Sequence, residues 1–398
     1  MKVKSKHWCA NVVMKWNLII ENNSDMEKET LRVIISGGGT GGHIFPAISI
    51  AGALVKKYPD VEILFVGAEG RMEMQRVPAA GYKIVGLPVQ GFDRKHPLKN
   101  LMVICKAVKS LWMARRIIKD FRPHVAVGVG GYASGPLLKT AAMMGVPTLI
   151  QEQNSYAGVT NKLLARKAAR ICVAYEGMER FFQKEKILIT GNPIRQNLVN
   201  SQIQREEALK TFGFSPEKRT ALFIGGSLGA RTMNESILQH LDMLKDSGIQ
   251  IIWQTGKYYY KDILDRLNKN ERLPMLYVTD FISRMEDAYA AADLVISRAG
   301  AGSISEFCVL GKPVILVPSP NVAEDHQTKN ALALADKQAA LYVKDVDAPD
   351  CLLELAIRTV GDDVLLSSLS KNISTMAYPQ AADVIAEEVY KLATGHNS

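Results

Sequence analysis

Cysteine is scarce in this 398-residue sequence, and the few cysteines form no recognisable framework. The five residues are scattered, and no two of them have C-x-x-C spacing: Cys9, Cys105, Cys172, Cys308 and Cys351. An odd number of dispersed cysteines indicates reduced thiols, as in a cytoplasmic protein. The pattern therefore argues against a disulfide framework or a structural zinc site.

Long hydrophobic runs and several catalytic motifs are also missing. No run of about 18 apolar residues occurs, so the sequence predicts no transmembrane helix. The H-E-x-x-H zinc motif and the G-x-x-x-x-G-K-[ST] phosphate loop are absent. A D-x-D pair, Asp345 and Asp347, lies in a late polar connection far in sequence from the glycine-rich motifs. We interpret this pair as part of a connecting loop rather than as a metal site, and we predict no metal centre.

The part of the sequence after residue 30 has the alternating pattern of an α/β protein. Residues 1–30 are interpreted as an extension, and a length of 398 residues predicts two or three domains. Apolar runs alternate with helix-like segments, which is typical of parallel sheets covered by helices. We predict two Rossmann-like domains, 31–193 and 194–372, with a C-terminal helical segment, 373–398, that packs back on the first domain.

The expected elements can be placed along the chain. The strands predicted for the first domain are Arg32–Ser36, Glu62–Val66, Lys83–Leu87, Val125–Val129, Pro147–Gln151, Ile171–Ala174 and Ile187–Thr190. Those predicted for the second are Ala221–Ile224, Ile251–Gln254, Met275–Val278, Leu294–Ser297, Val314–Pro318 and Ala340–Val343. The clearest helices are predicted at Ala47–Lys57, Lys99–Lys119, Gly135–Met144 and Ala381–Ala393.

Two glycine-rich loops of similar design are the most informative feature. The first runs from Gly37 to His43 and the second from Gly225 to Arg231, and each follows a predicted strand. A strand, a glycine turn and a helix N-terminus gather free N–H groups at the positive end of a helix dipole, which predicts phosphate binding. His43 stands at the mouth of the first loop, where a neutral imidazole can accept a proton from a sugar hydroxyl. The alternative is that it bonds only a neighbouring backbone group.

Further polar clusters follow other predicted strands. The loop from Gly130 to Pro136 can present N–H groups to an anion, or it is a plain turn. The clusters at 151–155, 297–306 and 323–330 stand where ligands collect in parallel sheets. Within them, Ser303 and Glu306 have capping-box spacing, so Glu306 either caps a helix or binds the ribose of a nucleotide. Arg195 lies at the predicted domain junction, where it can reach a ligand or form a surface ion pair.

The segment from Gln90 to Arg122 is strongly basic and also rich in apolar residues. It has nine basic and two acidic residues, together with Trp112 and many aliphatic side chains. Such a segment can lie on an anionic membrane surface. The alternative is a core-facing helix with a solvated basic face.

Six motifs, in order, resemble those of the MurG family of bacterial glycosyltransferases, and the resemblance runs from about residue 31 to the end. They are Gly37–Ala47, Gly130–Pro136, Glu152–Lys162, Gly191–Arg195, Gly225–Ala230 and Ser297–Glu306. The resemblance implies a GT-B fold, in which two Rossmann-like domains with parallel sheets face each other across a cleft. It also implies UDP-N-acetylglucosamine as donor and lipid I (undecaprenyl-pyrophosphoryl-MurNAc-pentapeptide) as acceptor. An inverting transfer to the C4 hydroxyl of MurNAc then gives lipid II for peptidoglycan synthesis.

The resemblance also implies roles for individual residues. His43 would be the catalytic base. The acceptor would contact Gly39, Gly130, Gly131, Tyr132 and Ser134. The donor would contact Thr40, Gly41, Gly42, Asn154, Arg195, Ser227, Ile282, Ala301, Gly302, Ser303, Ile304, Ser305, Glu306 and Gln327.

The implied setting is the cytoplasmic face of the bacterial inner membrane, bound peripherally through residues 90–122. Other cell-wall synthesis proteins are further candidate partners, and no nucleic-acid partner is expected. No cofactor is implied, and stimulation by a divalent cation would not use the D-x-D pair. The alternative enzymes are a UDP-N-acetylglucosamine 2-epimerase and a glycolipid glycosyltransferase of the same fold. A non-catalytic nucleotide-sugar sensor or membrane scaffold is the alternative from another class.

Overall fold

The computed structural model describes residues 30–90, 100–199, 201–267 and 273–395. The predicted extension, apart from Thr30, therefore lies outside the described residues, as do residues 91–99 of the basic segment. Within the described ranges, no helix combines the length and the apolar character needed to cross a membrane.

The first half of the chain forms a seven-stranded parallel sheet in the order β3-β2-β1-β4-β5-β6-β7. Its strands are short runs of mainly apolar residues, and the central ones are buried on both faces, as parallel strands covered by helices are. They are β1 (Arg32–Ser36), β2 (Glu62–Ala68), β3 (Lys83–Leu87), β4 (Val125–Gly128), β5 (Thr148–Glu152), β6 (Arg170–Val173) and β7 (Ile187–Ile189).

The second half forms a six-stranded parallel sheet in the order β10-β9-β8-β11-β12-β13. Its strands are β8 (Thr220–Ile224), β9 (Gln250–Gln254), β10 (Leu276–Thr279), β11 (Leu294–Ser297), β12 (Val314–Leu316) and β13 (Leu341–Tyr342). Both sheets have the doubly wound order of dinucleotide-binding folds. They confirm the predicted fold class of two Rossmann-like domains.

Helices cover both faces of each sheet. The first domain has α1 (Gly41–Lys57), α2 (Glu73–Ala79), α3 (Asn100–Phe121), α4 (Ser134–Met143) and α5 (Val159–Ala165). The connection between the domains and the rest of the chain have α6 (Gln196–Val199), α7 (Arg205–Phe212), α8 (Arg231–Leu238), α9 (Leu241–Ser247), α10 (Tyr260–Leu267), α11 (Met285–Ala291), α12 (Ala301–Leu310), α13 (His326–Ala335), α14 (Ala348–Val360), α15 (Asp363–Ser374) and α16 (Ala381–Thr394).

Helix α1 begins six residues before the predicted start at Ala47. Proline lacks an N–H donor and disfavours helix interiors, which makes a start after Pro46 the local expectation. In the structure Pro46 is buried in the second turn of the helix. The first turn is therefore built from Gly41, Gly42 and His43, which brings the histidine onto the helix itself.

Helix α16 returns from the second half of the chain to the first sheet. Its residues Ile385, Ala386 and Val389 are buried in the same cluster as Val33 of β1. The rings of Tyr390 and Tyr58 stack with centroids 4.3 Å apart. The described residues thus start and end on the first domain, and the chain passes between the two domains twice.

The carboxyl ends of the two sheets face each other across a cleft. Each sheet reverses its strand order beside its first strand, between β1 and β4 and between β8 and β11. Ligands of doubly wound folds bind at this point. The walls touch where the backbone N–H and hydroxyl of Ser155 donate to Asn330 Oδ1, over 3.0 and 3.1 Å.

Candidate active site

The first glycine loop is held by a buried carboxylate that the sequence analysis missed. Glu73 of α2 is fully buried and accepts hydrogen bonds from the N–H groups of Gly39 and Ala68, both over 2.9 Å. A Cβ on Gly38 would lie 2.1 Å from Glu73 Oε1, so only glycine fits there. Glu73 is distant from the loop in sequence, and no local motif marks it.

His43 lies in the first turn of α1 with one ring nitrogen already engaged. Its Nδ1 is 3.1 Å from the carbonyl oxygen of Gly38 and 3.2 Å from Thr40 Oγ1. A neutral ring that donates from Nδ1 to this carbonyl presents an unprotonated Nε2, as a general base requires. Burial lowers the pKa of the imidazole, and the carboxylate of Glu152 and the Gly38 carbonyl partly oppose that effect. A depressed pKa keeps the ring neutral at physiological pH.

The third glycine loop packs directly on the first. Gly131 has φ +90°, and a Cβ there would lie 2.4 Å from the carbonyl oxygen of Gly38. Gly130 has φ +99°, and a Cβ there would lie 2.8 Å from His43 Nε2. The imidazole therefore packs closely against the backbone of Gly130. The structure thus brings Gly39, Gly130 and Gly131 together around His43.

Tyr132 and Ser134, which are both predicted to contact the acceptor, differ in exposure. Tyr132, in the third glycine loop, is 55% exposed. Ser134 is fully buried, and its hydroxyl donates to the carbonyl oxygens of Ser36 and Gly130, over 3.0 and 2.8 Å. The hydroxyl of Ser134 therefore fastens the loop to β1, and the contact of Ser134 with the acceptor stays a prediction.

Asn154 belongs to a loop organised by the buried carboxylate of Glu152. Glu152 accepts from the N–H groups of Asn154 and Gly158, over 3.1 and 3.0 Å, and from Asn161 Nδ2 over 2.8 Å. Asn154 Oδ1 also accepts from Asn330 Nδ2, over 3.2 Å. Asn154 therefore lies where the two walls of the cleft meet.

The second glycine loop has the same close backbone packing. Gly229 and Gly256 both have positive φ, and a Cβ on Gly229 would lie 2.2 Å from the carbonyl oxygen of Thr255. A Cβ on Gly226 would meet no atom within 4 Å, and Ser227 beside it is exposed. Ser227 thus faces open space at the start of α8, as a phosphate contact requires.

Helix α12 presents a free N-terminus to the same region. Its first residues are Ala301, Gly302 and Ser303, and the N-cap residue, Gly300, has no capping side chain. The first N–H groups of a helix lack intrahelical acceptors and attract anions. A Cβ on Gly302 would meet nothing within 4 Å, so this end of the helix is open. Ile304 is buried beneath it, and the hydroxyl of Ser305 donates to the carbonyl of Ala301 over 3.0 Å.

Glu306 does not cap α12, so the capping alternative does not describe this structure. Its Oε1 accepts from Arg195 Nε and Nη2, over 3.1 and 3.0 Å, and its Oε2 accepts from the Tyr289 hydroxyl over 2.9 Å. Burial raises the pKa of Glu306, and the charge of Arg195 and the Tyr289 hydrogen bond oppose this. Tyr289 was missed because nothing in its sequence context marks it.

Two residues that are predicted to contact the sugar-nucleotide donor already form hydrogen bonds within the chain. The N–H of Ile282 donates to Gln254 Oε1 over 2.9 Å, so only its carbonyl remains for a base. Gln327 Oε1 accepts from the N–H of Ser319 over 2.8 Å, which leaves its amide nitrogen as the group to offer. Gln254 also donates to the carbonyl of Gly226 over 3.1 Å. The sequence analysis did not name Gln254 as a site residue, although its position at the end of β9 could have indicated it.

Asp345 of the D-x-D pair has a structural partner. It forms an ion pair with Arg298 and accepts from the Thr232 hydroxyl over 2.6 Å. Arg298 also donates to the carbonyls of Val317 and Pro318, over 3.1 and 3.2 Å. This aspartate therefore ties α8 to Arg298, and Arg298 in turn contacts the residues that follow β12.

Comparison with known proteins connects both halves of the chain to one family. Residues 33–173 match the glycosyltransferase family 28 N-terminal domain, and residues 220–384 match the glycosyltransferase family 28 C-terminal domain. Two similar relatives carry the same name, UDP-N-acetylglucosamine–N-acetylmuramyl-(pentapeptide) pyrophosphoryl-undecaprenol N-acetylglucosamine transferase. The one from Phocaeicola vulgatus is 67% identical over 92% of this chain and 97% of its own length. The one from Bacteroides thetaiotaomicron is 66% identical over 94% and 100%.

Solved structures agree with this family. The crystal structure of Acinetobacter baumannii MurG has a TM-score of 0.73 and 27% identity, and the match covers 91% of this chain and 99% of that one. UDP-GlcNAc 2-epimerase from Neisseria meningitidis, bound to UDP-GlcNAc, has a TM-score of 0.63 at 15% identity over 91% and 100%. That second likeness shows the fold alone. The chain belongs to glycosyltransferase family 28 and, within it, to the MurG family of N-acetylglucosamine transferases.

Proposed function

We infer that the protein transfers N-acetylglucosamine from UDP-N-acetylglucosamine to the C4 hydroxyl of the MurNAc sugar of lipid I, giving lipid II. The observation that carries this inference is 67% identity over 97% of the length of a relative named for that reaction. The cleft adds a chemical reason, because its two walls offer different groups. The first wall, formed by the first domain, carries a candidate base. The second wall, formed by the second domain, carries groups suited to a nucleoside diphosphate.

We assign the nucleotide of the donor to the second wall. The donor contacts that the resemblance implies at Thr40, Gly41, Gly42 and Asn154 would be made from the first wall. The free N-terminus of α12 and the loop with Ser227 would hold the diphosphate, and Glu306 would accept from the ribose hydroxyls. Glu306 Oε1 already accepts two hydrogen bonds from Arg195, and Oε2 accepts one from Tyr289, so one lone pair of Oε2 is left for a ribose hydroxyl. A second ribose hydroxyl would have to replace one of the Arg195 bonds. The carbonyl of Ile282 and the amide of Gln327 would contact the uracil and the sugar.

We assign the acceptor and the chemical step to the first wall. The glycines around His43 and the exposed Tyr132 would hold the pyrophosphate of lipid I. His43 Nε2 would take the proton of the C4 hydroxyl as that oxygen attacks C1 of N-acetylglucosamine from the face opposite UDP. The anomeric configuration would invert from α to β.

The charge that develops on UDP needs stabilisation as its bond to the sugar breaks. We propose that the N–H groups at the start of α12, the positive end of its dipole and Arg195 supply it, because oriented donors in a partly closed cleft stabilise such charge strongly. Asp345 is bonded to Arg298 and Thr232, so we do not assign it a metal. Stimulation by a divalent cation, if it occurs, would act on the substrates.

The function is tested by mixing the protein with UDP-N-acetylglucosamine and a short-chain lipid I analogue. We expect UDP release that requires the acceptor, with one disaccharide product formed for each UDP. UDP release without acceptor would favour an epimerase or a hydrolase. Binding of the donor without any turnover would favour a sensor.

Helix α3 supports a proposal that the protein binds the membrane surface peripherally. Its residues Ala114 and Ile118 are buried against the sheet, whereas Val108 and Trp112 on the opposite face are 62% and 61% exposed. Exposed basic residues flank this apolar pair: Lys109, Arg115, Arg116 and Lys119. An aromatic and an aliphatic side chain within a basic face are typical of contact with anionic lipid. The cytoplasmic face of the inner membrane, where lipid I is used, is the surface we propose.

Reversing charge on this face is expected to weaken membrane binding and to leave donor binding unchanged. Replacing Lys106, Lys109, Arg115 and Arg116 by glutamate should lower affinity for anionic vesicles by more than about tenfold, because each basic residue near the surface contributes about 1 kcal/mol. Vesicle sedimentation measures the first quantity and calorimetry with UDP-N-acetylglucosamine the second.

The matched control carries four reversals on the second domain, at exposed Lys210, Lys218, Lys261 and Lys371. Its net charge equals that of the test variant, so it should keep vesicle binding if the α3 face is the contact. Equal losses in both variants would show that only total charge matters.

A further inference from the structure

The buried carboxylate of Glu73 has no part in the proposed mechanism, although it lies one peptide group away from the proposed base. Its side chain is fully buried, and its two oxygens accept from the N–H groups of Gly39 and Ala68, each over 2.9 Å. Two N–H donors, one on each oxygen, favour the ionised carboxylate. A buried negative charge is costly unless its bonds repay it, so the placement of Glu73 calls for a reason.

The backbone around Glu73 is shaped to admit this side chain. A Cβ on Gly38 would lie 2.1 Å from Glu73 Oε1, and a Cβ on Gly67 would lie 2.6 Å from its Cγ. Gly39 has φ +86°, which turns its N–H to the carboxylate in a conformation that other residues rarely adopt. Three glycines therefore make room for one charged side chain.

The peptide group between Gly38 and Gly39 connects the carboxylate to the imidazole. Its N–H donates to Glu73 Oε2, and its carbonyl oxygen is 3.1 Å from His43 Nδ1. A carbonyl oxygen only accepts, so this bond requires a proton on Nδ1 and leaves Nε2 of the neutral ring unprotonated. The Thr40 hydroxyl, 3.2 Å from Nδ1, can donate or accept and does not change this. Hydrogen bonds joined through one polar group strengthen each other, so carboxylate, peptide and ring form one chain.

Such a chain matters because a general base becomes positively charged when it takes a proton. His43 lies in the first turn of α1, at the positive end of the helix dipole, which disfavours an imidazolium. Burial, the largest effect, lowers the pKa of His43, and His326 lowers it further. The carboxylates of Glu152 and Glu73 and the carbonyl of Gly38 raise it. Of these two carboxylates, Glu73 is the one that is bonded to the Gly38–Gly39 peptide.

We propose that Glu73 is a positioning residue for His43: its carboxylate holds and polarises the Gly38–Gly39 peptide, whose carbonyl fixes the imidazole with Nε2 unprotonated and stabilises the ring when it takes the acceptor's proton. In other enzymes a third group bonds the base directly, and here one peptide group stands between them. The inference rests on the proposed function, in which His43 is the base. Glu73 itself does not touch the substrates.

The test is Glu73→Gln in the full-length protein. Glutamine keeps the shape, removes the charge and sets its amide N–H against one of the two backbone N–H groups. With histidines labelled at Cε1, the NMR signal of His43 is identified by its loss in His43→Gln. Its pKa should fall in Glu73→Gln, because the protonated ring loses a negative partner. The acid limb of kcat against pH should move to lower pH with it, and the plateau of kcat should fall about tenfold, less than on loss of the base.

A double variant separates positioning from support of the fold. If Glu73 acts through the imidazole, adding Glu73→Gln to His43→Ala should lower kcat no further. A purely structural role would lower kcat by the same factor in the presence and in the absence of the imidazole, and would leave the acid limb in place. Either of these two results would overturn the inference.

Asp293→Asn is the matched control. Asp293 also accepts from a backbone N–H, that of Thr220, over 2.8 Å, and it precedes β11 at the edge of the second sheet that is opposite to the cleft. This variant should leave the titration of His43 and the acid limb unchanged, even where its melting temperature falls. A shift equal to that of Glu73→Gln would mean that loss of any such carboxylate disturbs His43, against the inference.

Gly67→Ala serves as the second variant where Glu73→Gln does not fold. The new Cβ displaces the Glu73 side chain and keeps its charge, so the bond to Gly39 weakens and the pKa of His43 should again fall. An unchanged His43 titration would overturn the inference. A wild-type protein without acceptor-dependent UDP release would refute the proposed function instead, and the titrations would still decide whether Glu73 and His43 are linked.

Discussion

Replacing His43 by alanine is expected to lower kcat by about 10²- to 10⁴-fold, the usual contribution of a general base. The KM for UDP-N-acetylglucosamine should change little, because the groups that we assign to its diphosphate and ribose lie on the opposite wall. A loss confined to kcat identifies an interaction made in the transition state. Initial rates of acceptor-dependent UDP release, measured over a range of donor concentrations, separate the two constants.

His240→Ala is the control for this variant, since it removes a histidine of similar burial outside the cleft. Its kcat should stay within twofold of the wild-type value. Near-normal turnover by His43→Ala would remove His43 from the role of base. Glu152 would not replace it readily, because Asn154, Gly158 and Asn161 already occupy its carboxylate oxygens.

The sequence predicted the strands and the glycine loops because both leave local signals. Each predicted strand is present, with ends that differ by at most two residues, since a short apolar run between turn residues needs no distant partner to be recognised. The start of α1 was predicted too late, because Pro46 is a local signal for a helix end that the fold overrides. Local rules therefore succeed where the structure is decided locally.

The residues that organise the site were harder to find, because their partners are distant in sequence. Glu73 holds Gly39 from the second βα unit, and Tyr289 holds Glu306 from the helix before β11. Which strand ends become neighbours depends on sheet order, and a single sequence does not state that order. The same limit applies to Ser134, whose hydroxyl fastens its loop to β1 through the carbonyl of Ser36, a partner distant in sequence.

In sequence the two glycine loops look like two copies of one phosphate-binding loop. The residues that surround them in the structure differ. The loop at Ser227 stands beside the open N-terminus of α12 and the Glu306 pair, all on the second wall. The loop at Gly39 is bonded by the buried carboxylate of Glu73. The backbone of Gly131 packs against Gly38, and that of Gly130 packs against the ring of His43. We therefore expect phosphate binding to dominate one wall and proton transfer the other.

Replacing Gly130 by alanine is expected to lower kcat about 100-fold or more without unfolding the protein. The new Cβ would lie 2.6 Å from His43 Cδ2 and 2.8 Å from Nε2, so the imidazole must move by a large part of an ångström. A displacement of about 1 Å in a reacting group can cost roughly 10²-fold in rate. Thermal melting and acceptor-dependent UDP release are the two measurements.

Gly145→Ala separates this clash from the strain of a positive φ. Gly145 has φ +80°, and a Cβ there would meet nothing within 4 Å. Both variants should lose about 1–2 kcal/mol of stability from the left-handed conformation, so their melting temperatures should fall alike. Only Gly130→Ala should lose activity, because only there does the added methyl group meet the imidazole. Equal activity in the two variants would mean that the reaction does not depend on where Gly130 holds His43, and the base would have to be sought elsewhere in the cleft.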